Sequence, residues 1–384
     1  MTLATRPPAI RLHGPRSDFA RFTWAQRLPR IVDDVLHDTI WTREERKRLA
    51  ALRAALVSGT LPDALRSPLD AEYWTDWIAR HRGQPLRELT FFELEGYFYR
   101  ALLDAIDYRD ERSRDPFAAQ KRAAWQGAAL PAMARDLSVE APDRRAQLTA
   151  ALSQALWANT LDLSQLTRGD AHHGGGILID DSAHAIDRLT LASAHSIDLV
   201  LDNAGQELAA DLALTDRLLR LDRERRVRLH AKPHPSFVSD ATVSDVRDAL
   251  RELAQHPDTS VGAWGTRLSQ ALAAGRLELA TDAFWCRPQA FDELPAALGD
   301  EFARSALIIL KGDLNYRRYI GDRLWPCETS ATALRIPHLA PALALRVLKS
   351  ELIVGVPGAT TRELDAAEPD WMYAGRHAVL QLFT

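Results

Sequence analysis

The sequence predicts an α/β fold in which a doubly wound, mainly parallel sheet carries helices on both faces, with an N-terminal helical lobe packed against it. Two observations support this prediction. Residues 1–165 have helical periodicity without strand alternation of any length, whereas residues 166–384 alternate short apolar runs with helical stretches. Such alternation is typical of consecutive βαβ units. We therefore predict an N-terminal helical lobe over 1–165 and an α/β domain over 166–384.

The helices of the N-terminal part are indicated by their boundaries and their spacing. Thr42 and Glu45 have the spacing of a capping box, and leucines at helical intervals follow until Gly59. A capping box satisfies free N–H groups at the start of a helix, and a glycine commonly ends one. The segments 91–106 and 143–156 have the same helical character. Each of the three segments is predicted to be a helix.

The strands of the sheet are indicated by short apolar runs that follow the glycines at 174–176. The clearest run, 198–201, leads through Asn203 and Gly205 into a leucine-rich helical stretch. The runs at 343–348 and 352–356 supply one or two strands. The remaining predicted strands are 177–179, 227–231, 277–280, 306–310 and 378–383.

The composition argues against several classes of protein. The 384 residues include 48 basic and 52 acidic side chains, and the net charge of -4 gives no electrostatic basis for binding nucleic acid or an anionic membrane. Two cysteines are too few for a disulfide framework or a thiolate metal cage. We find no signal-peptide pattern and no uncharged apolar stretch of about 18 residues. We expect a cytoplasmic protein without nucleic-acid or membrane partners, whose oligomeric state leaves no mark in the sequence.

Polar side chains follow four of the predicted strands at the point where each strand ends. In an open parallel sheet, the carboxyl ends of the strands line the crevice where ligands bind. We therefore expect these side chains to meet at one edge of the sheet. They are Asp202 and Asn203 after 198–201, Lys232 and Asp240 after 227–231, Lys311, Asp313, Asn315 and Arg317 after 306–310, and Lys349 after 343–348.

The chemistry of this set predicts a metal and a phosphate. Asp202, Asn203 and Asp240 offer hard oxygen donors, which suit magnesium or manganese better than zinc. Lysine offers phosphate a point charge, and arginine offers it a two-pronged donor. A divalent metal can polarise a phosphoryl oxygen while cations offset the charge of the transition state. We therefore predict a divalent-metal site that hydrolyses phosphate monoesters.

Each of these signals also has a structural explanation. An aspartate that ends a strand, such as Asp202, is often only a helix N-cap. The segment 311–313 also fits a turn, and Lys349 fits a solvated strand end. Gly205 is expected to let the backbone approach a ligand, because glycine lacks a side chain. The combination of signals, rather than any one of them, carries the prediction.

Segments along nearly the whole chain match the motifs of one known family. They are 19–35 (FARFTWAQRLPRIVDDV), 93–100 (ELEGYFYR), 115–117 with Gln120 and Lys121, 157–159 with 162–164, 201–205 with Glu207, 230–240 (HAKPHPSFVSD) and 311–318 (KGDLNYRR). The last string is rare enough to be persuasive by itself. These segments resemble the damage-control phosphatase family, formerly a domain of unknown function, in the branch that includes acidic-residue (protein-glutamate) methyltransferase-like proteins.

The resemblance implies a manganese ion, with cobalt, nickel or magnesium as substitutes, bound by Asp202, Asn203 and Asp240. It implies sugar phosphate substrates such as fructose 1-phosphate, and a damage-control role that removes harmful side-products. The family's Arg-Thr-x-Lys signature appears here with Val347 in place of threonine, so any role of that hydroxyl is lost. The implied substrate contacts are Asp202, Asn203, Asp313, Leu314, Asn315, Tyr316, Arg317, Arg346 and Lys349.

Our mechanistic hypothesis assigns the catalytic roles to Asp202, Asn203 and Lys311. Lys311, or Lys349, pairs with the phosphate oxygens, and Asn159 helps to hold the phosphate and the sugar hydroxyls. Asp202 either attacks the phosphate directly or acts only as a metal ligand, and both roles stay open.

Two other functions are kept as alternatives. A protein-glutamate O-methyltransferase would use S-adenosylmethionine, and Glu207 matches the methyl-donor contact in that account. Against it, no glycine-rich loop follows the strand at 198–201, and methyl transfer needs no such metal centre. A non-catalytic sugar-phosphate sensor is the other alternative, and the intact ligand set and KGDLNYRR segment argue against it.

Overall fold

The computed structural model describes residues 6–59, 65–138, 143–158, 176–191 and 196–384. Its strands are β1 (Ile177–Asp180), β2 (Ser196–Val200), β3 (Arg226–Ala231), β4 (Leu277–Thr281), β5 (Leu307–Lys311), β6 (Ala342–Val347) and β7 (Ala378–Phe383). Its helices are α1 (Asp18–Phe22), α2 (Leu28–His37), α3 (Arg43–Ser58), α4 (Ala71–His81), α5 (Phe91–Ala105), α6 (Ala118–Gln126), α7 (Leu130–Ser138), α8 (Arg144–Trp157), α9 (Ser182–Leu191), α10 (Gln206–Leu221), α11 (Val243–Ala254), α12 (Thr259–Ala273), α13 (Ala296–Ala303), α14 (Gly312–Ile320) and α15 (Gly358–Ala367).

The seven strands form one sheet in the order β1-β7-β6-β5-β2-β3-β4. Strands β4, β3, β2, β5 and β6 are parallel, β7 is antiparallel to β6, and β1 is parallel to β7. From β2 the chain moves outward through β3 to β4, and then returns to β5 on the other side of β2. The strand order therefore reverses between β2 and β5, and doubly wound sheets bind their ligands at such a switch point.

Both faces of the sheet are covered, as the buried side chains of β5 demonstrate. Ile308 and Leu310 belong to one hydrophobic cluster, whereas Leu307 and Ile309 belong to a second. Successive side chains of a strand point to opposite faces, so the two clusters lie on opposite sides of the sheet. Burial on both faces explains why this strand is a continuous apolar run in the sequence. The predicted doubly wound α/β fold is confirmed.

The N-terminal helices pack on both faces of this sheet. Helices α2 to α5 contribute to the cluster that contains Ile308, and α7 and α8 contribute to the cluster that contains Ile309. The predicted helical character of this region is confirmed, including the capping box of Thr42 and Glu45. The predicted domain boundary at 165 lies outside the described residues and stays a prediction.

Each predicted strand coincides with an observed strand to within two residues, except for the run at 352–356. That run is a buried loop rather than a strand, because its backbone bonds to side chains and to the carbonyls of Cys327 and Thr329 instead of to a neighbouring strand. The N–H of Val354 donates to the hydroxyl of Tyr316 (3.1 Å), and its carbonyl accepts from the amide of Gln381 (2.9 Å). Within the described ranges, no helix is both long enough and apolar enough to cross a membrane.

A buried ion network joins β2 to β3 in the middle of the sheet. The carboxylate of Asp198 is fully buried and lies 2.7 Å from Nε2 of His230 and 3.0 Å from a guanidinium nitrogen of Arg228. It also accepts a hydrogen bond from the hydroxyl of Ser305. Burial acts to raise the pKa of Asp198, but the bonds from His230 and Ser305 and the charge of Arg228 outweigh it, so its pKa lies below the usual value.

We predict that Asp198→Asn lowers the free energy of unfolding by about 3 kcal/mol at pH 7, because it removes the charge that compensates these buried partners. Since the folded pKa is depressed, the contribution is present above the unfolded pKa of about 3.9 and is lost as the pH falls below it. The difference between wild type and variant should therefore shrink in acid. Urea unfolding between pH 3 and 7 measures it, with the exposed Asp300→Asn as control. Equal stability of Asp198→Asn and wild type at pH 7 would contradict the prediction.

Candidate active site

A cavity of about 490 Å³ opens at the switch point between β2 and β5. Its volume lies in the range of sites for small molecules. The sheet and the N-terminal helices both contribute to its wall. From the strand ends come Asp202, Asn203, Glu207, Asp240, Asp313 and Lys349, and from the N-terminal part come Phe19, Phe22, Arg27, Glu95 and Ala124.

Three polar side chains come from the junction between β2 and α10. Asp202 and Asn203 directly follow the strand, and Glu207 lies in the first turn of the helix. The amide nitrogen of Asn203 donates to a carboxylate oxygen of Asp202 (3.1 Å) and to one of Glu207 (2.7 Å). The N-cap of α10 is Gly205, so Asp202 is not a helix cap. This excludes the structural explanation of Asp202 considered from the sequence.

The loop after β3 delivers Asp240 to this cluster through strained backbone. Asn203 and Asp240 pair as an isolated antiparallel bridge. Just before it, Phe237 and Val238 both adopt left-handed backbone, with φ of 52° and 64°. That conformation is costly, above all for a β-branched residue, and it clusters at functional sites. The next residue, Ser239, donates its hydroxyl to Oδ1 of Asn203 (2.5 Å).

The cluster concentrates negative charge in a buried place. Burial raises the pKa of Asp202 well above its usual value, and the charges of Glu207 and Asp240 raise it further. Burial likewise raises the pKa of Asp240, although Lys232, which donates a hydrogen bond to it, acts in the opposite direction. Several carboxylates held together away from water are stabilised by a cation.

This donor set fits the predicted divalent metal. Asp202, Asn203 and Asp240 meet at the cavity, and their side chains carry hard oxygen atoms, the ligands of magnesium and manganese. The part of the chain that the structure describes holds no cluster of three or more His, Cys, Asp or Glu side chains arranged to bind a metal. The predicted set is of another kind, two carboxylates and one carboxamide.

Two glycines permit close packing around the cluster. Gly312, at the start of α14, has a φ of +79°, and a Cβ there would lie 1.9 Å from a carboxylate oxygen of Asp202. Any other residue would therefore displace Asp202. Gly205 has a φ of +75°, and a Cβ there would lie 2.5 Å from the Cβ of Ala124 on α6. Gly205 thus permits the close packing of α6, and the predicted approach of its backbone to a ligand stays a prediction.

Lys311 lies behind the cluster, where it is fully buried and outside the cavity wall that the described residues form. Its ammonium group donates to the carbonyl of Ala155 (2.6 Å) and lies 3.0 Å from Glu207 and 2.9 Å from Asp211. Two of its three N–H donors thus make hydrogen bonds, to Ala155 and Glu207, and its charge also compensates Asp211. This placement differs from the predicted contact with phosphate oxygens, because the side chain turns towards α8 and α10.

Asp313 and Lys349 are brought together at the cavity, as predicted. Oδ1 of Asp313 accepts from the guanidinium of Arg346 (2.8 Å), from the N–H of Lys349 (3.1 Å) and from the hydroxyl of Ser350 (3.0 Å). Burial acts to raise the pKa of Asp313, but the nearby guanidinium groups and these bonds outweigh it, so its pKa lies below the usual value. Arg346 itself is buried, and it anchors Asp313 rather than lining the described cavity wall.

Arg317 lies at the cavity wall but is held on both sides by carboxylates. Its guanidinium forms two hydrogen bonds with Asp322 (2.8 and 3.1 Å) and one with Glu95 (2.7 Å). The ring centroid of Phe91 lies 4.4 Å from it. Arg317 thus connects α14 to α5, and so fixes the N-terminal helices against the strand ends.

The other predicted substrate contacts differ in placement. Leu314 lines the cavity. The amide of Asn315 donates to the carbonyls of Leu201 (3.0 Å) and Lys311 (2.8 Å), and the hydroxyl of Tyr316 donates to Gln381 (2.9 Å). Asn315 and Tyr316 therefore hold the backbone around the site and are absent from the described cavity wall. Asn159 lies outside the described residues, so its predicted contact stays a prediction.

Sequence reasoning missed several residues that the structure brings to the site. Arg27 and Glu95 come from the N-terminal helices, and the hydroxyl of Ser239 donates to Asn203. The strand-end pattern could not find the first two, because they lie far from the sheet in sequence. All three fall within segments that carry the family resemblance, which was the only signal for them. Lys232, which the strand-end pattern did predict, donates a hydrogen bond to Asp240.

Comparison with known proteins gives a consistent result. Residues 23–364 match the model of a family described as the damage-control phosphatase ARMT1-like domain. A protein of Danio rerio called damage-control phosphatase ARMT1 is 28% identical, over 94% of this chain and 94% of its own length. The human protein of that name is 31% identical over 60% of this chain and 57% of its own length.

Other relatives match over a shorter region. Damage-control phosphatase ARMT1 of Xenopus tropicalis is 36% identical over 49% of this chain, and the match spans 44% of that protein. Among solved structures, a DUF89 family protein from Pyrococcus horikoshii has a TM-score of 0.52 and 16% identity, covering 97% of this chain and all of that one. That likeness supports the fold.

We predict that Lys311→Met lowers the free energy of unfolding by about 3 to 5 kcal/mol, because it leaves Glu207 and Asp211 buried without their cation. Urea unfolding measures the loss, with Lys47→Met on the exposed face of α3 as control. A direct phosphate contact without a structural role would instead leave the stability of Lys311→Met at the wild-type value.

Proposed function

The chain belongs to the damage-control phosphatase ARMT1-like family, and from that membership we propose that it is a metal-dependent phosphatase acting on sugar phosphate monoesters. One observation carries the proposal: Asp202, Asn203 and Asp240 line the same cavity at the switch point of the sheet, and Lys349 lines it too. Their hard oxygen donors suit a divalent cation, and a lysine in the same cavity suits the phosphate that such a cation would share.

The proposed roles follow from the placement of each side chain. A divalent cation, with manganese expected and cobalt, nickel or magnesium as substitutes, would be held by Asp202, Asn203 and Asp240 and would polarise the phosphoryl group. Lys349 would bind phosphate oxygens, since its backbone is fixed by Asp313. Lys311 would act as a positioning residue, because it holds Glu207 against Asn203. Leu314 would contact the sugar.

The methyltransferase alternative assigns the methyl-donor contact to Glu207. In the structure both carboxylate oxygens of Glu207 are engaged, one with Lys311 (3.0 Å) and the other with Asn203 (2.7 Å). These bonds give Glu207 a structural role, in which it holds Asn203 and pairs with the buried Lys311. We therefore predict no heat of binding when the protein is titrated calorimetrically with S-adenosylmethionine. Saturable binding would favour the methyltransferase.

We predict that the protein releases phosphate from sugar phosphates in the presence of manganese, and that Asp202→Ala lowers this rate more than about 100-fold through loss of the metal. The assay compares fructose 1-phosphate, other sugar phosphates and p-nitrophenyl phosphate, each with manganese, cobalt, nickel, magnesium or chelator. Asp180→Ala is the matched control, since that aspartate also ends a strand, but β1 runs opposite to β2 and places it at the other edge.

The outcomes of this assay separate the hypotheses. Metal-dependent release that Asp202→Ala loses and Asp180→Ala keeps supports the proposed phosphatase. A sugar-phosphate-dependent rise in melting temperature without release would instead favour a sensor. Full activity of a folded Asp202→Ala would refute the assignment of the site. The expectations of a cytoplasmic location and of no nucleic-acid partner stay predictions.

A further inference from the structure

The helix at the N-terminal side of the cavity contains a turn of unusual geometry. Helices α1 and α2 are joined by a π-helical turn, Thr23–Arg27, in which the N–H of Leu28 donates to the carbonyl of Thr23 five residues earlier. Single π-helical turns within α-helices are uncommon and are found frequently at functional sites. The hydroxyl of Thr23 is buried here without a hydrogen-bond partner.

The pattern of buried residues explains what the turn does. Ala20 and Thr23 are buried on the first part of the helix, and the second part buries Leu28 and then Ile31. An α-helix returns to the same face after three or four residues, yet Thr23 and Leu28 are five apart. The π-helical turn absorbs the additional residue. Both Leu28 and its neighbour Arg27 therefore reach the inner side, and Arg27 lines the cavity.

Arg27 is available to a ligand there. Its side chain is half-buried, and within the described ranges its guanidinium makes no hydrogen bond and no ion pair. Its charge does act on Glu95, whose pKa burial raises and the charges of Arg317 and Arg27 lower in part. Arg317, by contrast, is fully engaged by Glu95 and Asp322. A guanidinium carries five N–H donors, so the guanidinium of Arg27 can donate hydrogen bonds to a ligand.

The position of Arg27 relative to the carboxylate cluster indicates which part of a substrate it meets. Asp202 and Lys349 line the cavity from the strand ends. Arg27 lines it from the N-terminal helices, as does Glu95 on α5. A phosphate held beside Asp202 and Lys349 would therefore direct its alcohol portion towards Arg27.

An aromatic side chain lies on the same turn of this wall. Phe22 directly precedes the π-helical turn, lines the cavity and exposes 49% of its surface. A sugar has a polar edge of hydroxyl groups and less polar C–H faces. An aromatic ring beside a guanidinium suits such a group, because the ring packs against the C–H face while the guanidinium donates to oxygens.

We infer that Arg27 is a specificity-determining residue that donates hydrogen bonds to the oxygens of the substrate's alcohol portion, with Phe22 packing against that group. This inference rests on the proposed function for the choice of a sugar phosphate. It assigns to the N-terminal helices the recognition of the leaving group, whereas the strand ends hold the phosphate.

The test compares binding of fructose 1-phosphate with binding of inorganic phosphate, which lacks the alcohol portion, by calorimetry. The titration uses calcium, another cation with oxygen ligands, in place of manganese, so that turnover does not consume the fructose 1-phosphate. Arg27→Met should weaken binding of fructose 1-phosphate about 10- to 100-fold, the range expected for losing charge-assisted hydrogen bonds. Binding of inorganic phosphate should stay within about twofold of wild type on the same grounds. Arg27→Lys keeps the charge but loses the paired donors of the guanidinium, so its affinity for fructose 1-phosphate should lie between the affinities of wild type and Arg27→Met. Arg30→Met is the matched control, because Arg30 is exposed on the same helix.

A second readout uses turnover. Arg27→Met should raise KM for fructose 1-phosphate by a similar factor and lower kcat/KM for p-nitrophenyl phosphate to a much smaller extent, since that substrate has an aromatic ring and no sugar oxygens. Equal losses for both ligands, no loss for either, or no binding of fructose 1-phosphate to wild type would overturn the inference. If wild type binds fructose 1-phosphate through Arg27 but releases no phosphate, the proposed phosphatase fails and the assignment of Arg27 stands.

Discussion

The burial of several carboxylates at one point of the sheet is the constraint on which the rest of this structure depends. Asp202, Glu207 and Asp240 lie together away from water, an arrangement that costs free energy unless cations compensate it. Lys311 supplies one permanent cation from behind the cluster. The absence of a side chain at Gly312 leaves Asp202 its place.

The fold could be predicted because its physical signals are local. Each strand is a short run buried on both faces, and βαβ order follows from the alternation of such runs with amphipathic helices. Parallel strands share a direction, so the positions of polar residues after the strands also predicted a common edge of the sheet for Asp202, Asp240, Asp313 and Lys349. The sequence left open whether 343–348 and 352–356 form one strand or two, and the structure forms one. Buried loops and buried strands have the same apolar composition, and only their hydrogen-bond partners differ.

The direction of side chains at the strand ends was harder to predict, although a signal existed. Leu307 and Ile309 point to the face covered by α8 and α10, and the period of two along a strand assigns Lys311 to that same face. Applied to this strand, the period of two predicts that Lys311 is buried and therefore needs carboxylate partners. The contributions of Arg27 and Glu95 had no comparable signal, because contacts between distant segments depend on how whole helices pack.

We propose that the strand ends bind the phosphate and the N-terminal helices bind the alcohol portion, and this separation affects how substrate preference can change. The residues proposed to face the phosphate lie on buried strand ends, where each side chain also contacts a neighbour, so their substitution costs stability as well as chemistry. Arg27 and Phe22 lie on a helix whose outer face is open, and among the described residues Arg27 acts on the buried Glu95 only through its charge, without a hydrogen bond. Substitutions there are expected to cost little stability. Preference for the alcohol portion can therefore vary without disturbing the charged cluster, and the π-helical turn is the element that makes this separation possible.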